Sequence, residues 1–274
     1  MWLKLRPLAY SVHPYQWATI GKKVEHIEQA TMQDVKDFFF HHYLPNNAIL
    51  VVAGKVTTDQ VRGLAEKWFG PIPSGRIATR ALPKEPRQTS KRSLSVEANV
   101  PANALYKTFH MPGRFDSDFH AVDLLSDMLG RGQSSRLYNE LVKEKELFTT
   151  LSSFTMGSVD PGLLVISGRL KNGVSFEQAE QALNTCIHQT ITEKVTDDEL
   201  EKVKTQAIAA LEFDEVELLN RALNLALGKL SGDANVVNTE ADTISKVRVD
   251  DVQTAAQQYL VEENASTLYY KSIQ

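Results

Sequence analysis

The chain has 274 residues, 42% of them apolar and 23% charged, enough for one large domain or two ordinary ones with a real core. A net charge of −4, with no basic runs interleaved with aromatics, excludes a polycation drawn to nucleic acid or to an anionic membrane. The single cysteine, Cys186, excludes an internal disulfide and a cysteine cage around a metal; on a helical apolar face it reads as a small buried hydrophobe.

In chain order, MWLKLRPLAYSV is too short and too broken by charge and proline for a signal peptide or a membrane anchor. Residues 31–43 read as a helix, with Val35, Phe38, Phe39 and His42 at i, i+3, i+4 and i+7 on one face. A turn, LPNNA, and a strand over Ile49–Val56 follow, then a helix over Thr58–Phe69 capped by Thr58 and stopped by Gly70, Pro71 and Pro73. The proline-bearing, aperiodic stretch that follows reads as an extended linker, placed at residues 76–92. Two strand candidates (SLSVEANV, ALYKTFHM) meet around Pro101. A helix over His120–Leu129 precedes a second that starts at Ser134 or Ser135. Strands are expected at Thr149–Met156 and Gly162–Leu170, and a helix over Phe176–Thr192. Thr196 and Glu199 form a capping box, and helical character returns over Glu215–Gly228. Helices and strands come in pairs, which predicts an α+β fold with antiparallel sheets covered by helices rather than a doubly wound parallel sheet.

Ile27–Leu50 and Ile244–Thr267 align without a gap at an offset of 217 positions, sharing Ile27/Ile244, Asp34/Asp251, Val35/Val252, Asn47/Asn264 and Ala48/Ala265. Both copies read helix, turn, strand. The second unit carries about 150 residues ahead of its copy and the first only 26, so the pattern predicts a duplicated building block, present once whole and once without its front. The expected division is residues 1–75 as the C-terminal part of a first domain, the linker, and residues 93–274 as a complete second domain. An exposed apolar face around Phe38–Phe40 is expected to invite dimerisation.

No self-contained active site is legible. His41 and His42 diverge around their helix, and no histidine has a His or Cys partner at metal-ligating spacing. No nucleophile elbow or dinucleotide fingerprint occurs. GRGQSSRL follows a helix, not a strand, so it reads as a turn with a Ser cap rather than a phosphate loop.

Several segments nonetheless carry a resemblance. His13-Pro14-Tyr15, Ile20-Gly21, a helix, Tyr43, Pro45-Asn46-Asn47-Ala48 and a strand ending at Gly54 resemble the stretch after the zinc motif in pitrilysin-like, insulinase-like and mitochondrial-processing-peptidase-like metallopeptidases. GRGQSSRLYNELVKEKEL is similar to that family's Gly-rich turn followed by S-S-R-L. The resemblance implies halves built from two related α+β domains, with a peptide or unfolded protein enclosed between two halves (homo- or heterodimer). It implies zinc in the full-length protein, held by an inverted H-x-x-E-H motif and a distal Glu upstream of His13. No position here matches those ligands, so the chain is expected to bind no metal and to be inactive alone. His13, Tyr15, Ser134, Ser135 and Arg136 become candidates for lining the substrate chamber. Val142 and Thr149 stand where many relatives carry a substrate-binding Arg and Tyr. A non-catalytic scaffold homologue is the alternative. The compartment stays open, the expectation being a soluble bacterial protein of cytoplasm or periplasm.

Overall fold

The computed structural model describes residues 1–77 and 81–273; residues 78–80 of the expected linker lie outside the described residues. Its elements in chain order are α1 (Trp2–Ala9), α2 (Glu25–Glu28), α3 (Met32–His42), α4 (Thr58–Phe69), β1 (Arg92–Ala98), β2 (Ala104–His110), α5 (Phe119–Gly130), a π-helical stretch (Tyr138–Glu144), β3 (Phe148–Met156), β4 (Leu163–Leu170), α6 (Phe176–Thr192), α7 (Asp197–Asp214), α8 (Leu218–Leu230), α9 (Val236–Ser245), α10 (Val249–Tyr259) and β5 (Ala265–Ser272). They form two compact units. One comprises Met1–Ala18, Pro83–Ile208 and Asp242–Gln274; the other comprises Thr19–Leu82 and Ala209–Ala241.

The first unit is built on a five-stranded sheet of order β1-β5-β2-β4-β3. The α+β expectation holds, but the sheet is mixed, because β1 runs parallel to β5 while the other neighbours are antiparallel. β1 and β2, consecutive in sequence, are not neighbours. The C-terminal strand inserts between them, pairing Leu268 with Leu94 on one side and Tyr106 on the other. One sheet face carries α5, and α6 reaches the sheet by accepting from Lys107 through Asn184 and from Tyr269 through Glu180, with α10 against both helices. The other carries α1, whose Leu5, Ala9 and Tyr10 join Leu163, Val165 and Leu268 in a core cluster. Coverage on both faces explains why β4 reads LLVI, all four side chains buried, rather than alternating.

Capping chemistry sets the helix starts. Ser175 opens α6 through a box with Gln178, and Thr196 exchanges bonds with Glu199 as expected. In the second unit the cap of α4 is Thr57, one residue before the expected Thr58, with Gln60 completing the box.

The aligned segments adopt the same local structure at the same offset. α3 and α10 each span 11 residues and each leads into a one-turn 3₁₀ helix, Pro45–Asn47 and Glu262–Asn264. The N-cap amide of Thr31 donates to Asp34 Oδ2 at 2.8 Å, and that of Arg248 donates to Asp251 Oδ2 at 2.8 Å. Asn47 Nδ2 donates to the His42 carbonyl at 2.9 Å, and Asn264 Nδ2 to the Tyr259 carbonyl at 2.8 Å. The two segments then part. Ala265–Ser272 is a central strand, whereas the strand expected at Ile49–Val56 does not form. A strand exists through its ladder, and no neighbour pairs with 49–56 among the described residues.

Candidate functional site

After α1 the chain bends through Ser11–His13 and turns over Pro14–Gln16. Three consecutive amides there converge on one carboxylate. Ser11 N–H and Oγ–H donate to Glu85 Oε1, both at 2.7 Å, and the amides of Val12 and His13 donate to Oε2 at 2.9 and 2.8 Å. Burial pushes the Glu85 carboxyl up, but the amides of His13, Ser11 and Val12 and the Ser11 hydroxyl outweigh it and hold the group at about 2.

His13 is buried and caps the turn, its Nδ1 accepting from the Tyr15 amide at 3.2 Å. The ring proton therefore belongs on Nε2, which faces Asp160 Oδ2 at 3.3 Å without hydrogen-bond alignment. The Tyr15 ring stands edge-on to His13 at 4.2 Å, and its hydroxyl accepts from the Asp160 amide. Tyr10 donates to the Pro161 carbonyl and meets the His110 ring edge-on at 5.0 Å. HPY is thus a knot that ties the N-terminal segment to the β3–β4 turn. Beside it lies a cavity of about 430 Å³ lined by Glu85, His110, Asp116, Asp118, Pro161 and Tyr259, among others. Three of its carboxylates have internal donors: Glu85 as above, Asp116 from the Gly113 amide, Asp118 from the Tyr259 hydroxyl.

The other three candidates sit past the far end of α5, roughly 18 Å along its axis at 1.5 Å per residue. Gly130, the last residue of α5, lies so close to β3 that a Cβ would come within 1.9 Å of the Ser153 amide nitrogen. Gly132 takes a left-handed φ of +76°. The Ser135 hydroxyl donates to the Gly132 carbonyl at 2.7 Å, and Lys202 Nζ donates to Ser134. Arg136 grips Glu199 with two parallel bonds, 2.9 Å from Nε and 2.8 Å from Nη2. The Arg136 hydrogen bonds are the main reason the Glu199 carboxyl is held at about 2. The turn therefore anchors α7 through its capping-box Glu; the fold brings His13 and Tyr15 together and keeps Ser134, Ser135 and Arg136 apart from them. Val142 belongs to the π-helical stretch, and Thr149 is the exposed extra residue of a bulge on β3.

Sequence reasoning missed Glu85, which lies in the expected linker and carries no motif. It also missed a buried ion pair beneath α6, where Lys107 Nζ lies 3.0 Å from Glu180 Oε1 and 2.5 Å from Asn184 Oδ1. The signal was present: a lysine inside ALYKTFHM needs a partner if the strand is central. Tyr269 completes the group by donating to Glu180 Oε2 at 2.5 Å.

Among the described residues no three His, Cys, Asp or Glu side chains converge as metal ligands. His13 has Nδ1 committed to Tyr15, His41 Nδ1 turns back on the Asp37 carbonyl, and His42 packs on Phe38. These groups do not fit a zinc site. No described helix is long and apolar enough to cross a membrane.

Residues 29–207 match the family model described as the peptidase M16 inactive domain. Zinc protease PqqE of Helicobacter pylori is 27% identical over 269 residues, covering 96% of this chain and 60% of that protein. A "probable mitochondrial-processing peptidase subunit beta" of Schizosaccharomyces pombe is 26% identical over 225 residues, covering 76% of this chain and 47% of that protein. The crystal structure of a Helicobacter pylori protease superposes with a TM-score of 0.86 at 26% identity, over 98% of this chain and 65% of that one. The chain thus spans less than two thirds of the length of these relatives.

Proposed function

The chain belongs to the peptidase M16 inactive-domain family, and on that footing we propose that it is the non-catalytic C-terminal portion of a zinc-dependent endopeptidase. It forms part of a substrate-chamber wall and the contact with a partner half. The match to the inactive domain, with a relative named as a zinc protease, carries the reading. The site geometry supports it, because the reactive-looking groups are already engaged: His13 caps a turn, Ser135 bonds its own loop and Arg136 is consumed by Glu199. His13, Tyr15, Ser134, Ser135 and Arg136 then serve the wall as positioning residues. Zinc belongs to the full-length protein, held by residues outside this chain, where it would polarise a scissile carbonyl and supply a bound water. Peptide or unfolded protein is the substrate class. The matched caps of α3 and α10 favour a duplicated domain, with residues 1–75 as the end of the first copy, a linker at 76–92 and residues 93–274 as the second; Met1–Ala18 docks on the second copy's sheet.

The test is metal analysis and hydrolysis of quenched peptides by the purified chain, alone and mixed with a relative's zinc-bearing half. Turnover only in the mixture, abolished by a chelator, is the expected result. One zinc per chain with turnover by the chain alone, both lost in His13→Ala or His42→Ala, overturns the reading. Val142 and Thr149 stand in place of the Arg and Tyr of many relatives, so either a partner half supplies that pair or peptidase activity is lost; the latter is the second reading, a scaffold homologue. That reading expects no turnover in any mixture.

A further inference from the structure

Lys107 lies on β2, the middle strand of the sheet, and is only 5% exposed. An ammonium group carries three N–H donors. Glu180 Oε1 takes one at 3.0 Å and Asn184 Oδ1 takes a second at 2.5 Å, both from α6. The third has no acceptor among the described residues. Asn184 meets Lys107 with its oxygen, so its NH₂ end turns away, and that end also has no partner among the described residues. Both residues line a cavity of about 440 Å³ shared by β2, α6 and the turn from α10 into β5. Small-ligand sites span roughly 300–1,000 Å³. Phe109, Ile187, Ile191, Leu260 and Val261 make its apolar walls.

Charge selects the kind of acceptor that completes these donors. Burial pushes the Glu180 carboxyl up, but the bonds from Tyr269, Lys107 and Thr267 outweigh it and lower it overall. Glu180 therefore stands as a carboxylate and already neutralises Lys107. Glu262 and Glu263, which also line the cavity, add only negative charge, and Glu262 is itself paired with Lys91. A ligand carboxylate would enter without a free counter-charge, which is costly beside a buried pair. A ligand ammonium would bring donors to donors. An uncharged carbonyl oxygen avoids both costs, and its two lone pairs accept from two N–H groups at once.

We infer that this cavity is a binding site for a small uncharged carbonyl compound, a ketone or an amide with a compact apolar body. Its oxygen accepts from Lys107 Nζ and Asn184 Nδ2, and its body lies against Ile187, Ile191 and Leu260. The site uses neither HPY nor the GRGQSSRL turn, and it stands independently of the peptidase reading.

The full chain, with labelled Ile, Leu and Val methyl groups, is titrated at pH 7 with acetophenone, with benzoate and with ethylbenzene. The three probes share an aromatic body and differ in carrying a neutral acceptor, an anion or no acceptor. Acetophenone should give saturable shifts centred on the methyls of Ile187, Ile191 and Leu260, and should bind at least tenfold more tightly than either of the others. Asn184→Leu removes one donor and Ile191→Trp fills the space; each should weaken acetophenone at least tenfold. Asn184 is exposed and Ile191 half-buried, so both variants should keep the amide-exchange protection of β2 and β4; should either fail to fold, the comparison of the three probes on the parent chain decides alone. The inference is overturned by the absence of saturable shifts, by shifts centred elsewhere, by benzoate or ethylbenzene binding as tightly as acetophenone, or by undiminished binding to folded Asn184→Leu.

Discussion

Replacing Glu85 by Gln keeps the shape and removes the charge on which four donors converge. An amide accepts through its oxygen alone, so its NH₂ end faces at least one backbone N–H that loses its acceptor. The span from the ordinary carboxyl value of 4.5 to about 2 corresponds to roughly 3 kcal/mol, at about 1.4 kcal/mol per tenfold change in proton affinity. The carboxylate is partly solvated, and screening reduces this to about 1.5–2 kcal/mol. The sign follows from linkage: the folded value lies below the unfolded one, so the stabilisation is complete above pH 4.5 and is lost as pH falls toward 2. Urea unfolding should place Glu85→Gln about 2 kcal/mol below the parent at pH 7, with the gap closing near pH 2. Amides 11–13 should exchange faster in the variant at pH 7. A gap under about 0.3 kcal/mol at pH 7 would refute the assignment of Glu85 as the anchor of the N-terminal segment, as would a gap that persists undiminished at pH 2.

Arg136→Met should cost about 1–2 kcal/mol in urea unfolding, and Arg136→Lys should recover only part of it, because the fork to Glu199 is bidentate. Glu180→Ala leaves the Lys107 ammonium buried with Asn184 alone and should cost about 3 kcal/mol. Burial lowers the Lys107 pKa, so the variant should regain thermal stability as pH rises and the amine becomes neutral; a flat profile between pH 7 and 10 would contradict this. Within GRG, Gly130→Ala must displace β3 and should cost about 3 kcal/mol or more, whereas Gly132→Ala, strained but in open space, should cost about 1 kcal/mol, read by thermal melts. Equal costs would show that the Gly130 contact is not what joins α5 to the sheet.

The helices were legible because their determinants lie within a turn or two along the chain. Ser175 with Gln178 and Thr196 with Glu199 announce their starts, and the spacing of Val35, Phe38 and Phe39 matches that of Val252, Ala255 and Ala256. The alignment at an offset of 217 was legible too, and its Asp and Asn make the same local hydrogen bonds in both segments. Tertiary structure alone decided what those signals could not carry. Nothing local says that β5 enters between β1 and β2, that α1 closes the second sheet face, or that Glu85 collects three amides more than seventy residues away. The candidate site divided the same way: HPY and SSR were visible as motifs, but the engagement of His13 and Arg136 follows from partners such as Asp160 and Glu199. The failed strand at Ile49–Val56 states the reason in one case. Its residues favour extension as strongly as those of β5, but a strand is a relation between chains of hydrogen bonds, and composition supplies only one side of it.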